Sequence, residues 1–235
     1  MKPSMNEVHI WSIPLASDDL ATQLTNLLNE EEQARATRFY FARDSRRYTI
    51  GRATLRLILS HYTGIPADTL RFTYNSYGKP ALAAEHNPRE VTFNLSNSGD
   101  HALCAVTHER LVGIDLEEMK VLDYLQLAGT VFSPHEQAVL RQLPVALRQR
   151  AFFNGWTRKE AYIKAHGKGL SMPLADFDVT LAPDEPARLL ATRPDPAEAS
   201  RWSLFGWALD ETRVAALVVA GDGWRLVQHE SSELR

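Results

Sequence analysis

The chain contains a single cysteine, Cys104, in 235 residues. No intrachain disulfide can form, and a reducing compartment fits that count. Long apolar runs are also missing. Nothing approaches the ~20 residues that span a bilayer, and Met1 to Glu7 holds no stretch of signal-peptide length. A cytoplasmic protein with no membrane segment is expected. Net charge is small, at −3, so the molecule as a whole has no electrostatic footprint for nucleic acid. Further absences narrow the chemistry. The histidines form no His-Glu-x-x-His pair and no Gly-x-Ser-x-Gly elbow occurs. The Gly167-Lys168-Gly169 run lacks the spacing of a Walker loop.

What is present reads as an α+β chain. Val8 to Ile13 alternate as a first strand. From Asp18 to Tyr62 the period is helical, with one stripe of Leu20, Leu24, Leu27 and Leu28 and another of Tyr48, Leu55, Leu59 and Tyr62. Gly64-Ile65-Pro66 stops it. Arg71 to Tyr74 is a short strand before a turn over residues 75–80. Val91, Phe93 and Leu95 alternate with Thr92, Asn94 and Ser96, which predicts a half-buried strand turning at Asn97-Ser98-Gly99-Asp100. Strands Ala102–Thr107 and Leu111–Glu117 follow. Ser133-Pro134-His135-Glu136 is a capping box with proline at the first helical position, and helix extends to His166. A strand over Phe177–Leu181 precedes a surface loop, Pro183–Ser200. Three strands, Trp202–Leu209, Val214–Ala220 and Trp224–Gln228, close the chain as a meander. The long helices Arg47–Tyr62 and Phe152–His166, each preceded by a shorter helix and followed by strands, point to an internal duplication. Its halves are residues 1–112 and 113–235.

Three segments are candidates for chemistry. In Gly113-Ile114-Asp115-Leu116-Glu117, residues at i and i+2 of a strand share a face, so Asp115 and Glu117 point together. Paired carboxylates repel unless a cation lies between them, and hard oxygen donors suit magnesium; the plainer reading is a solvated strand end. In Trp156-Thr157-Arg158-Lys159-Glu160-Ala161-Tyr162-Ile163-Lys164, Glu160 and Lys164 lie one turn apart on a helix face. An ordinary surface ion pair would look the same, but Trp156, Ala161 and Ile163 crowd these turns. Finally, Arg35, Arg38, Arg43, Arg46, Arg47, Arg52 and Arg56 make a basic run inside an acidic protein, suited to phosphate or simply a solvated helix face. Lys79, in Gly78-Lys79-Pro80, adds a cation at a turn.

Taken in order, these pieces resemble the Sfp-type 4′-phosphopantetheinyl transferases. The matching elements are Arg38-Phe39-Tyr40, Tyr77-Gly78-Lys79-Pro80, Phe93-Asn94-Leu95-Ser96, Gly113-Ile114-Asp115-Leu116-Glu117, Phe132-Ser133-x-x-Glu136 and Trp156-x-x-Lys159-Glu160-Ala161-x-x-Lys164, followed by Gly167-Lys168-Gly169-Leu170. The resemblance implies two similar halves forming an intramolecular pseudodimer, active as a monomer. It implies transfer of the 4′-phosphopantetheine arm of coenzyme A to a serine of an apo acyl or peptidyl carrier protein, with release of 3′,5′-ADP. Asp115, Glu117 and Glu160 would hold magnesium, or manganese in its place. Glu160 and Lys164 would be catalytic. Arg35, Arg47, Lys79, Ser96, Asn97 and Lys159 would contact the coenzyme, with Asn97 standing where many members of the family have histidine. Two other classes share parts of this pattern. Another magnesium-dependent phosphoryl or nucleotidyl transferase would need the same carboxylates and arginines. A non-catalytic module binding coenzyme A or a carrier would need the arginines alone.

Overall fold

A computed structural model describes residues 6–193 and 195–234. The reading of the N-terminal stretch therefore lies outside the described residues up to Met5, and so does Pro194 of the proline-rich segment. The chain divides into two compact units. Residues up to 74, 80–109 and from 224 onward form the first; residues 75–79 and 110–223 form the second. The expected halves, 1–112 and 113–235, differ from this at the turn over 75–79, at 110–112 and at the C-terminal strand.

In the first unit, strand β1 (Glu7–Pro14) leads into helices α1 (Asp18–Leu24), α2 (Glu30–Thr37) and α3 (Ala42–Thr63). A short hairpin of β2 (Phe72–Tyr74) and β3 (Pro80–Leu82) follows, then a long one of β4 (Val91–Ser98) and β5 (His101–His108). Local chemistry sets these limits. The Ser17 hydroxyl accepts from the Leu20 amide to start α1. Asn29 and Glu32 close a reciprocal capping box on α2. Gly64, at φ 77°, ends α3 in the left-handed conformation that glycine tolerates best. The leucine stripe packs against α3 and the sheet, where Leu20, Leu24, Leu28, Leu55, Leu59 and Tyr62 share one buried core with Trp11, Ile13 and Phe93.

The second unit repeats this order. Strand β6 (Val112–Glu118) leads into α4 (Tyr124–Val131), α5 (Pro134–Gln142) and α6 (Val145–His166). Then come a short hairpin, β7 (Phe177–Val179) with β8 (Leu189–Thr192), and a long one, β9 (Trp202–Ala208) with β10 (Arg213–Ala220). The sheet orders correspond as well, β1-β5-β4 against β6-β10-β9. Both long helices have 22 residues and stop on a left-handed glycine, here Gly167 at φ 71°. This unit buries its own core around Phe132, Phe152, Tyr162, Val214, Ala216 and Val218.

The structure differs from the sequence reading in four places. The last strand, β11 (Arg225–Glu230), does not extend the meander but pairs in parallel with β1, from Glu7 opposite Arg225 to Ser12 opposite Glu230. The segment 183–200 is not only loop: it holds β8 and a short 3₁₀ turn over Pro196–Arg201, which the surrounding prolines conceal. Strand β4 continues through Asn97 to Ser98, leaving a two-residue turn with Gly99 at φ 57°. Nor is β4 half-buried, since its polar side chains Asn94, Ser96 and Ser98 are buried as well. Among the described residues no helix is long and apolar enough to cross a membrane.

One buried charge pair anchors α3. Arg56, fully buried, donates to Glu32 at 2.8 Å and to the carbonyls of Ala67 and Leu70 at 2.8 and 3.0 Å. Glu32 also pairs with Arg52, but removing Arg56 strips one carboxylate oxygen and two carbonyls of their buried donor. Arg56→Met is therefore expected to lower the unfolding free energy by roughly 3 kcal/mol, read from chemical denaturation. A loss below about 0.5 kcal/mol would assign the pair no structural weight.

Candidate active site in the second unit

Strand β6 lies directly on the backbone of α6. A Cβ placed on Gly113 would stand 2.1 Å from the Ala161 carbonyl oxygen and 2.3 Å from the Ala165 nitrogen, so only glycine permits this approach. Asp115 and Glu117 follow on the same face of the strand and reach the same helix. The Lys164 ammonium donates to Asp115 Oδ1 at 2.6 Å, and the Trp156 indole N–H donates to Glu117 Oε1 at 3.1 Å. Ile114 and Leu116, on the opposite face, are buried.

Glu160 completes the group. Burial pushes its carboxyl above the ordinary range; the charges of Asp115 and Glu117 push the same way, and Lys164 opposes them. The structure thus gathers Asp115, Glu117, Glu160 and Lys164. Among the described residues no three acidic, histidine or cysteine side chains stand ready as a metal cluster. Lys164 engages Asp115, and Trp156 engages Glu117. The donor chemistry nonetheless fits a hard divalent cation, because all the donors are oxygens and the charges of Asp115 and Glu117 raise the proton affinity of Glu160.

Two expected coenzyme contacts are engaged within the second unit. Lys159 is fully buried: its ammonium meets Glu136 at 2.8 Å and donates to the carbonyls of Leu174 and Phe177 at 2.7 and 2.6 Å. Those acceptors use all three of its N–H bonds. Lys79 is similarly occupied, donating to the carbonyls of Val112, Lys164 and Ala165 at 3.1, 2.6 and 3.1 Å. There it caps the C-terminal end of α6, where a cation is favoured, and burial lowers its pKa to about 8.

The remaining expected contacts belong to the first unit. Arg47 donates to Asp100 at 2.8 Å and Asp44 at 3.4 Å. Arg35 is exposed, its guanidinium 5.3 Å from the centre of the Tyr48 ring. Ser96 is buried and Asn97 exposed. As neighbours on a strand their side chains leave opposite faces. The sequence reading missed Glu136 as the partner of Lys159. Its motif, Ser133-x-x-Glu136, reads locally as a helix start and also matches the family pattern, but neither reading names its partner.

The chain has the repeated α+β architecture and carboxylate–lysine cluster of a two-unit transferase. Residues 111–218 match the family described as the 4′-phosphopantetheinyl transferase superfamily, and residues 14–109 match the 4′-phosphopantetheinyl transferase N-terminal family. The chain is 43% identical to the 4′-phosphopantetheinyl transferase HetI of Nostoc sp., over 94% of this chain and 90% of that protein. It is 30% identical to the 4′-phosphopantetheinyl transferase Sfp of Bacillus subtilis, over 73% and 74%. The chain belongs to the 4′-phosphopantetheinyl transferase superfamily, enzymes that transfer the phosphopantetheine group of coenzyme A to carrier proteins.

Two outcomes are expected. Gly113→Ala forces backbone apart, so its destabilisation should exceed the about 1–3 kcal/mol of ordinary overpacking, read from the melting transition. Glu160→Gln should stabilise. A carboxyl whose folded pKa lies above its unfolded value makes stability fall as pH rises through that range. The gain in melting temperature should therefore be present near pH 8 and vanish as pH falls below the ordinary carboxyl range. A variant that melts lower than the parent near pH 8 contradicts the assignment.

Proposed function

We propose that Asp115, Glu117 and Glu160 hold a magnesium or manganese ion and that Glu160 and Lys164 carry the transfer step. The observation that supports this reading is the convergence of three carboxylates, felt at Glu160 as raised proton affinity, beside the Lys164 ammonium. Such an ion, when bound, offsets phosphate charge that would repel an oxygen nucleophile. Glu160 accepts the proton of the carrier serine, a role its raised pKa favours. The serine oxygen bonds to the β-phosphorus of coenzyme A, the bond from that phosphorus to the bridging oxygen breaks, and 3′,5′-ADP leaves. Lys164 exchanges Asp115 for the phosphate and donates to its developing charge.

Arg35, Arg47, Ser96 and Asn97 are proposed contacts for the nucleotide end, Arg47 exchanging Asp100 for a phosphate. The enzyme is read as a cytoplasmic monomer.

Incubating an apo carrier with the protein, coenzyme A and magnesium should add the mass of one phosphopantetheine and release 3′,5′-ADP. Release of ADP or pyrophosphate from a nucleoside triphosphate instead would overturn the reading. Magnesium should also raise the melting temperature of the parent and not that of Asp115→Asn. Full turnover in chelator would sink the metal assignment.

A further inference from the structure

The buried pair Glu136–Lys159 lies next to the reactive cluster without touching it. Glu136 Oε2 accepts from the Ser133 amide at 2.8 Å as the reciprocal half of the α5 capping box, and it also meets Lys159. Glu136 Oε1 accepts from the Val179 amide of β7 at 2.8 Å. Lys159 in turn holds the carbonyls of Leu174 and Phe177. One charge pair thus ties the start of α5, the middle of α6 and the chain entering β7.

The first unit contains the same device. Arg56 is the fifteenth residue of α3, as Lys159 is of α6, and each stands eight residues before the left-handed glycine. Glu32 holds the capping-box position on α2 that Glu136 holds on α5. In both units one carboxylate oxygen accepts from the cap backbone and from the helix cation. In both units the cation also takes two carbonyls of the connection that follows the helix. The reactive residues are not shared. Leu57 and His61 occupy the places in α3 that Glu160 and Lys164 occupy in α6.

We infer that Glu136 and Lys159 are positioning residues: their clamp sets the rotation and register of α6 that turn Glu160 and Lys164 toward Asp115 and Glu117. Lys159 and Glu160 are consecutive, so an anchor at one fixes the direction of the other. Side chains reach about 5–6 Å from a helix axis, so a rotation of about 20° carries a carboxylate through roughly 2 Å. A misplacement of about 1 Å costs up to about 100-fold in rate. This role rests on the function proposed above.

The test compares kcat with KM for coenzyme A. Glu136→Asp keeps the charge and the cap but shortens the arm by one methylene. It should fold, leave KM within about twofold and lower kcat about tenfold, because an interaction displaced only at the reacting atoms acts on the chemical step. Replacing the pair with apolar residues of similar volume, Glu136→Leu with Lys159→Met, should lower kcat about thirtyfold or more in the folded protein. Where that double variant does not fold, Glu136→Asp decides alone. Parental kcat in folded Glu136→Asp, or a loss confined to KM, overturns the positioning role. An inactive parent would overturn the function and this inference together, whereas an active parent with active variants overturns only the inference.

Discussion

The second unit depends on how closely β6 lies against α6. At Gly113 the strand meets the helix backbone with no room for a methyl group. That contact decides what the neighbouring side chains can reach. Asp115 and Glu117, two and four residues farther along the same face, arrive at α6 near Lys164 and Trp156. A wider spacing would carry the carboxylates away from Lys164 and Trp156.

The cost of this arrangement is electrostatic. Three carboxylates and one ammonium share a partly buried site, and Glu160 is pushed toward its protonated form by burial and by like charge. The surrounding fold holds the group together through contacts outside its four side chains. Lys79 caps the end of α6, and Glu136 with Lys159 anchors its middle. The first unit uses the same frame, with Glu32 and Arg56, but places Leu57 and His61 where the reactive residues would be. The repeated frame is therefore separable from the carboxylate–lysine cluster of the second unit.

The amino-acid sequence by itself determined the local elements and the residue types of the candidate site. Period and caps predicted the helices ending at Gly64 and Gly167, and alternation predicted that Asp115 and Glu117 share a face. These are short-range properties, set by sterics and hydrogen bonds within a few residues. Tertiary structure alone decided the partners. Lys159 and Lys79 are expected from sequence to contact the coenzyme. In the fold Lys159 is buried against Glu136 of another helix, and Lys79 is engaged by carbonyls at the far end of α6. The parallel pairing of β11 with β1 joins opposite ends of the chain. No local pattern encodes such contacts, because a charge's role depends on which acceptors the fold brings to it and on how much water it removes.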